Sequence, residues 1–159
     1  MAIIGFDQWT KYWVLHNIPE GTYFKEGFLP PYPVIPDFLY IVHIYNPGAA
    51  WGMFSGYSGV LAIIALIALW GIYHFRHELA LGQPFMQYAF GLLCGGIVGN
   101  LIDRLQHGHV IDFIDVHLPG YRWPAFNIAD SAITCGVGLY LIYSILEWRR
   151  TRLQTGSST

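Results

Sequence analysis

Asp130 is the residue whose setting most clearly predicts chemistry. It is the one acid within an otherwise uncharged run over residues 123–146, and a carboxylate in such a run is costly unless it has a partner and a function. Asn127 lies three residues before it and Thr134 four residues after it, so a helix places all three on one face. The available partners are Arg104 and the acids near the end of the preceding uncharged run. Two carboxylates a few Å apart share one proton, and such a pair can activate water for amide hydrolysis.

The second acid of such a pair has three candidates, which the spacing leaves open: Asp103, Asp112 and Asp115. Asp103 shares a predicted helix face with Asn100 and stands beside Arg104, which fits a structural clamp at a helix end as well as it fits catalysis. Asp112 and Asp115 lie in the segment that follows. The residue pattern by itself does not choose among the three acids.

That segment also contains the residue types that zinc accepts as ligands, namely His107, His109, His117, Asp112 and Asp115. Their spacing matches neither the helical H-E-x-x-H pattern nor a C-x-x-C pattern. On an extended chain alternate residues face opposite sides, so His109 points away from Asp112. We therefore predict no metal site and no cofactor.

Two further pairs of residues have spacings that indicate positioning roles. Asp7 and Lys11 lie one helical turn apart with the acid first, an order that favours an ion pair on one helix face, and we predict a structural role for it. Asn46 and Gly48 lie in a turn-forming run over residues 46–52. There the backbone can approach a neighbour closely, and the Asn46 amide can hydrogen-bond a helix or a ligand.

The composition of the chain predicts that these residues belong to a membrane protein. Of 159 residues, 54% are hydrophobic and only 11% are charged, whereas soluble domains have about a quarter charged residues. This excludes a disordered chain and argues against an ordinary cytosolic domain. A net charge of −2 leaves no basic patch for nucleic acid. Cys94 and Cys135 lie in apolar surroundings, and we expect both to be buried.

Four apolar segments predict membrane spans in one integral membrane domain, an all-α fold with a small β-rich extramembrane part. The predicted spans cover about 2–16, 56–75, 84–103 and 125–148. The first reaches only about 22 Å at 1.5 Å per residue, less than a full crossing. Gly95, Gly96 and Gly99 in the third span predict close packing of a partner helix. Leu39–Asn46 is β-branched and aromatic, which favours a short strand.

Lysine and arginine in the short connections predict the orientation. Arg149, Arg150 and Arg152 follow the last span and Arg76 follows the second, so both termini are expected in the cytoplasm. Segments 17–55 and 104–124 are then extracytoplasmic.

Five motifs, taken in order along the chain, resemble those of the bacterial lipoprotein signal peptidases, the signal peptidase II family. They are Asp7-Gln8-Trp9-Thr10-Lys11, Asn46-Pro47-Gly48-Ala49-Ala50, Gly99-Asn100-Leu101-Ile102-Asp103-Arg104, Val110-Ile111-Asp112-Phe113 and Phe126-Asn127-Ile128-Ala129-Asp130. The resemblance extends over essentially the whole chain and includes a topology of four spans. It implies an inner-membrane aspartic endopeptidase that cuts prolipoproteins before a diacylglyceryl-modified cysteine.

The resemblance also implies roles for individual residues. It makes Asp112 and Asp130 the catalytic pair, and it assigns supporting roles to Asn46, Gly48, Asn100, Asp103, Arg104 and Asn127. It implies contact with membrane lipids and requires no dimer, so we expect a monomer. Asp115 has no counterpart in the family pattern and is expected to be a solvated surface acid. Family members carry a longer stretch before Asp7, so the first helix is expected to lack part of its cytoplasmic half.

Two other classes of function are compatible with polar residues inside spans. A small proton- or ion-coupled transporter would use Asp103, Arg104 and Asp130 as a relay, but the inverted repeats typical of such proteins are not evident. A non-enzymatic membrane subunit would use the same residues only to join helices.

Overall fold

The computed structural model describes residues 2–49, 53–79 and 81–156, so residues 50–52 of the turn-forming run lie outside the described residues. The described residues form four helices and four strands. They are α1 (Ala2–Asn17), β1 (Tyr32–Ile35), β2 (Leu39–Asn46), α2 (Ser58–His74), α3 (Pro84–His107), β3 (Val110–Leu118), β4 (Tyr121–Arg122) and α4 (Ile128–Gly156).

Among the described helices, α3 and α4 are long and apolar enough to cross a membrane, whereas α1 and α2 have 16 and 17 residues. The third predicted span, over about 84–103, lies within α3. The helix continues to His107 and stops at Gly108, whose φ of 75° is left-handed, a conformation that glycine adopts without strain. The last helix begins at Ile128 rather than near residue 125, and it extends well past residue 148.

The strands form one antiparallel sheet in the order β1-β2-β3-β4, and β2 covers the predicted strand Leu39–Asn46. Its partner β3 lies about 70 residues away in sequence, with Asn46 opposite Val110 and Ile44 opposite Asp112. The pairing shifts register between Ile41 and Ile44. The fold is therefore helical with a substantial sheet, and a strictly all-α description is too narrow.

Glycines allow α3 to approach its neighbours closely, as predicted. A Cβ on Gly96 would collide with the Ala129 carbonyl oxygen and lie 2.8 Å from Ile133 Cγ1 on α4. A Cβ on Gly99 would lie 2.6 Å from the Asp7 carboxylate on α1. These separations are too short for any side chain larger than hydrogen, so the glycines set the distances between the three helices.

The sheet is joined to the helices through a small buried apolar cluster. Val14 of α1 and Ile18, just after the end of that helix, pack against Ile111 and Phe113 of β3. By contrast, large apolar side chains along α2 are exposed, including Ile67 and Trp70 at 61% and 62%. Exposed apolar surface on this scale is unfavourable in water and fits a helix surrounded by lipid.

Candidate active site

Asp112 and Asp130 line the same cavity, which has a volume of about 970 Å³. Asp112 comes from β3, and Asp130 comes from the first turn of α4. Asp112 is buried, with 3% exposure, whereas Asp130 is only partly buried. The structure thus brings together, in one partly enclosed space, the two acids that the family resemblance selects.

Asn127 connects the two carboxylates. Its side-chain nitrogen lies 2.9 Å from Asp112 Oδ1, and its backbone N–H donates to Asp130 Oδ2 at 3.2 Å. Asn100 supplies the second donor to Asp130, from Nδ2 to Oδ1 at 2.7 Å. The Asn100 side-chain oxygen in turn lies 3.1 Å from the Asn127 amide nitrogen. Each acid is therefore fixed by amide donors and does not depend on a cation in contact with it.

Asn46 holds the other side of Asp112. Its Nδ2 donates to Asp112 Oδ2 at 2.9 Å, while its Oδ1 accepts the backbone N–H of Gly48 at 3.0 Å. Arg104 Nη2 donates to the Gly48 carbonyl at 3.0 Å. Asn46, Gly48 and Arg104 form one continuous wall of the cavity.

The expectation that Arg104 partners Asp130 is not met by the contacts of Arg104. Its guanidinium donates to the backbone oxygens of Asn100 and Gly48, and it makes no ion pair within the described ranges. Its Nε is buried without a hydrogen-bond partner there. Arg104 therefore supports the backbone of the cavity wall. Asn100 supplies the side-chain donor to Asp130 that the sequence analysis expected from Arg104.

Asp103 lies outside the cavity, in a buried cluster with α1. Lys11 makes ion pairs of 2.9 Å with both Asp103 and Asp7, and its ammonium also donates to Asn100 Oδ1 at 3.0 Å. The predicted Asp7–Lys11 pair is thus present, with Asp103 as a second acid on the same lysine. Gln8 adds a donor to Asp103 at 2.9 Å. Asn100 links the cluster to Asp130, because its Oδ1 accepts from Lys11 and its Nδ2 donates to Asp130.

Asp7 and Asp103 each accept a backbone N–H next to one of the two acids of the cavity. Asp7 Oδ1 accepts the N–H of Ala129 at 2.8 Å, at the start of α4. Asp103 Oδ2 accepts the N–H of Ile111 at 3.1 Å, next to Asp112 on β3. An anion at a helix N-terminus is favourable, so Asp7 also stabilises the turn of α4 that carries Asp130. Sequence reasoning had missed these two backbone contacts and the role of Gln8.

The prediction that Asp115 is a solvated surface acid is wrong. Its side chain is fully buried and accepts two hydrogen bonds from Arg122, at 3.0 Å from Nε and 2.6 Å from Nη2. His117 Nε2 lies 3.2 Å from the same carboxylate. The reason is that Arg122 on β4 folds back across β3, a contact that the spacing of an isolated segment does not reveal.

The prediction that both cysteines are buried is wrong. Cys135 is exposed and lines the cavity, contrary to the prediction, and Cys94 is half-buried. His109 stacks on Tyr45 with ring centroids 3.9 Å apart. Within the part of the chain that the structure describes, no three His, Cys, Asp or Glu side chains are grouped as metal ligands.

Burial raises the pKa of Asp112 to about 7, and the neighbouring Asp130 carboxylate acts in the same direction. The amide donors of Asn46 and Asn127 oppose this effect because they stabilise the charged form. A carboxyl with this pKa can hold a proton near neutral pH and can also release it. The pair therefore has the electrostatic setting that general acid–base catalysis needs.

The two acids share one cavity in a chain whose helices α3 and α4 are apolar and long enough to cross a membrane, which indicates a membrane protein with a polar internal site. The family model described as signal peptidase (SPase) II matches residues 1–146, and the chain belongs to the signal peptidase II family of membrane peptidases.

Individual relatives and solved structures are similar over most of their length. The lipoprotein signal peptidase of Xanthomonas campestris pv. campestris is 37% identical over 95% of this chain and 88% of its own. That of Staphylococcus carnosus is 39% identical over 96% and 91%. Two solved structures described as bacterial membrane enzymes superpose with TM-scores of 0.78 and 0.75 at 40% and 41% identity. They cover 91% and 89% of this chain and 83% and 86% of theirs.

Proposed function

We propose that this chain removes signal peptides from prolipoproteins, before a diacylglyceryl-modified cysteine, with Asp112 and Asp130 as its catalytic pair. The observation that carries the proposal is the common cavity of the two acids, with Asn127 bonded to both. The names of the relatives, all lipoprotein signal peptidases, support the substrate class. None of these relatives favours the transporter alternative.

The reaction begins with one proton shared by the pair. Asp112 carries this proton, and the Asp130 carboxylate accepts a proton from a water molecule placed between the acids. The water oxygen attacks the scissile carbonyl carbon while Asp112 donates its proton to the carbonyl oxygen. The resulting tetrahedral diol collapses as the C–N bond breaks. Asp130 passes its proton to the cysteine nitrogen while one hydroxyl of the diol returns a proton to Asp112, so the pair is singly protonated again.

The asparagines contribute by holding the acids in place. Each carboxylate accepts two hydrogen bonds, Asp112 from Asn46 and Asn127, and Asp130 from Asn100 and Asn127. A carboxylate that is already oriented loses little further freedom on reaching the transition state, and misplacement by about 1 Å can cost about 100-fold in rate. Asn46, Asn100 and Asn127 are therefore positioning residues.

The dimensions of α4 support an orientation with the catalytic pair on the extracytoplasmic side of the inner membrane. Asp130 and Arg149 are 19 residues apart on one helix, a distance of about 29 Å that matches the roughly 30 Å of bilayer hydrocarbon. The arginines at the end of α4 favour the cytoplasm. The proposed catalytic and supporting residues all come from a single chain, which is consistent with a monomer.

The test is a gel-shift cleavage assay with purified protein in detergent. It uses a diacylglyceryl-modified prolipoprotein and the same precursor without the lipid, with wild type, Asp112→Asn and Asp130→Asn side by side. We expect the wild type to cut only the lipidated precursor and each variant to lose at least about 100-fold in rate. Asp37→Asn is the matched control, since Asp37 is an exposed acid away from the cavity.

The variants must also be shown to fold. Thermal unfolding in the same detergent should place both near the wild type, because asparagine keeps the shape of the side chain. Normal turnover by either folded variant would contradict the catalytic assignment. Equal cutting of both precursors would contradict the requirement for the lipid.

A further inference from the structure

The sheet side of the cavity carries two polar side chains that the catalytic steps do not use, Tyr23 and Arg122. The Arg122 guanidinium carbon lies 3.9 Å from the centre of the Tyr23 ring. Tyr23 comes from the segment between α1 and β1, and Arg122 comes from β4. The two side chains therefore form one stacked unit across two distant parts of the chain.

Arg122 is fixed by three hydrogen bonds and has further N–H groups that these bonds do not use. Its Nε and Nη2 donate to Asp115, and its Nη1 donates to the Phe24 carbonyl at 3.0 Å. A guanidinium has five N–H groups, so among the described residues one on each terminal nitrogen remains unused. The buried Asp115 compensates the positive charge. The remaining donors therefore suit neutral acceptors such as peptide carbonyls better than they suit anions.

Tyr23 is placed by backbone hydrogen bonds on both sides. Its own N–H donates to the Leu29 carbonyl at 2.8 Å, and the preceding Thr22 carbonyl accepts the N–H of His43 on β2 at 3.0 Å. Within the described ranges the Tyr23 hydroxyl has no hydrogen-bond partner. Burial raises the pKa of Tyr23, so this hydroxyl keeps its proton and remains a donor.

We propose that Tyr23 and Arg122 bind the backbone of the substrate on the carboxyl side of the scissile bond, in the first residues of the mature lipoprotein. The proposal rests on the proposed function. The cavity wall on α4, which includes Ile133 and Cys135, continues into the membrane and suits the apolar signal peptide. The sheet lies at the opposite end, where the polar mature chain leaves the membrane. Backbone carbonyls there would meet the unused donors of both residues.

The experiment compares two lipidated peptides with the same signal peptide and the same diacylglyceryl cysteine. The short peptide ends in the cysteine carboxamide, and the long peptide continues for about six residues. KM and kcat are measured for wild type, Tyr23→Phe and Arg122→Gln. We expect each variant to raise KM for the long peptide about three- to tenfold, the usual effect of one lost hydrogen bond. Neither variant should change KM for the short peptide.

The short peptide separates binding from folding, because a damaged fold would impair the cutting of both peptides alike. Asp115→Asn combined with Arg122→Gln removes both charges of this ion pair and keeps the test valid if Arg122→Gln alone is unstable. Arg76→Gln is the matched control, since Arg76 also stacks on a tyrosine, Tyr73, but lies away from the cavity.

Four results would contradict this proposal or the proposed function. Equal effects on the two peptides, or no effect on either, would overturn the assignment of Tyr23 and Arg122. A wild type that binds both peptides with the same KM would exclude a mature-side site altogether. A folded wild type that cuts neither peptide would instead overturn the proposed function.

Discussion

Asn127 and Asp130 cap one another at the start of α4. The Asn127 side-chain oxygen accepts the backbone N–H of Asp130 at 2.9 Å, and the Asp130 carboxylate accepts the backbone N–H of Asn127 at 3.2 Å. This reciprocal pair has the geometry of a capping box, which satisfies two helix donors at once. The consequence is that helix formation and the orientation of the acid depend on the same two hydrogen bonds.

Replacing Asn127 separates these two effects. Asn127→Ala should destabilise the protein by about 1–2 kcal/mol through loss of the cap and lower kcat by about 100-fold through loss of the amide between the acids. Asn127→Ser keeps a good capping group but has no amide, so it should recover most of the stability and little of the activity. Thermal unfolding and cleavage rates, measured on the same samples, check both effects. Full activity in Asn127→Ser would show that the amide contact with Asp112 is dispensable.

The pKa of Asp112 predicts how activity depends on pH. In the proposed mechanism the pair needs one proton, and this proton is expected to leave Asp112 as the pH rises through about 7. Above that value kcat/KM should fall about tenfold per pH unit. The measurement is a pH–rate profile with the lipidated substrate, and samples returned from pH 9 to pH 6 should regain full rate if the protein has stayed folded. A rate that keeps rising from pH 7 to pH 9 would contradict Asp112 as the proton donor.

Lys11 is expected to matter for stability because it is the cation between two buried acids. Lys11→Met leaves Asp7 and Asp103 without it, and breaking a buried pair in this way typically costs about 3–5 kcal/mol. Lys11→Met combined with Asp103→Asn should recover part of the loss, because the remaining acid, Asp7, still binds the N-terminus of α4. Unfolding temperatures in detergent distinguish the variants. A double variant no more stable than Lys11→Met alone would show that the charges are not the cause.

The contact between α1 and α3 predicts the effect of a single methyl group. Gly99→Ala would place a Cβ 2.6 Å from Asp7 Oδ2 and 3.2 Å from Ala129 Cβ, and overpacking of this kind costs about 1–3 kcal/mol. Gly91→Ala is the matched control on the same helix, with nothing within 4 Å of its added Cβ. It should be neutral or slightly stabilising, since alanine favours helix. Equal unfolding temperatures for the two variants would contradict the close packing.

Several features of the fold and site could be predicted from the sequence because they depend on neighbouring residues. The strand Leu39–Asn46 follows from its β-branched and aromatic residues. The Asp7–Lys11 pair follows from helical spacing. The need of Asp130 for partners follows from the cost of a carboxylate in an apolar run. Each of these is a property of a short segment, and the structure retains it.

The contacts of the site were decided by tertiary structure. Spacing left Asp103, Asp112 and Asp115 equivalent as candidates for the second acid. Only the pairing of β3 with β2 and its packing beside the start of α4 bring Asp112 to Asp130. Asp103 and Asp115 instead form ion pairs with Lys11 and Arg122. The burial of Asp115 and the exposure of Cys135 likewise depend on distant elements. Hydrogen bonds between residues far apart in sequence form only where helices and strands dock. The composition and local pattern determined a membrane protein with costly polar residues, and the packing of its helices on the sheet decided which of them meet.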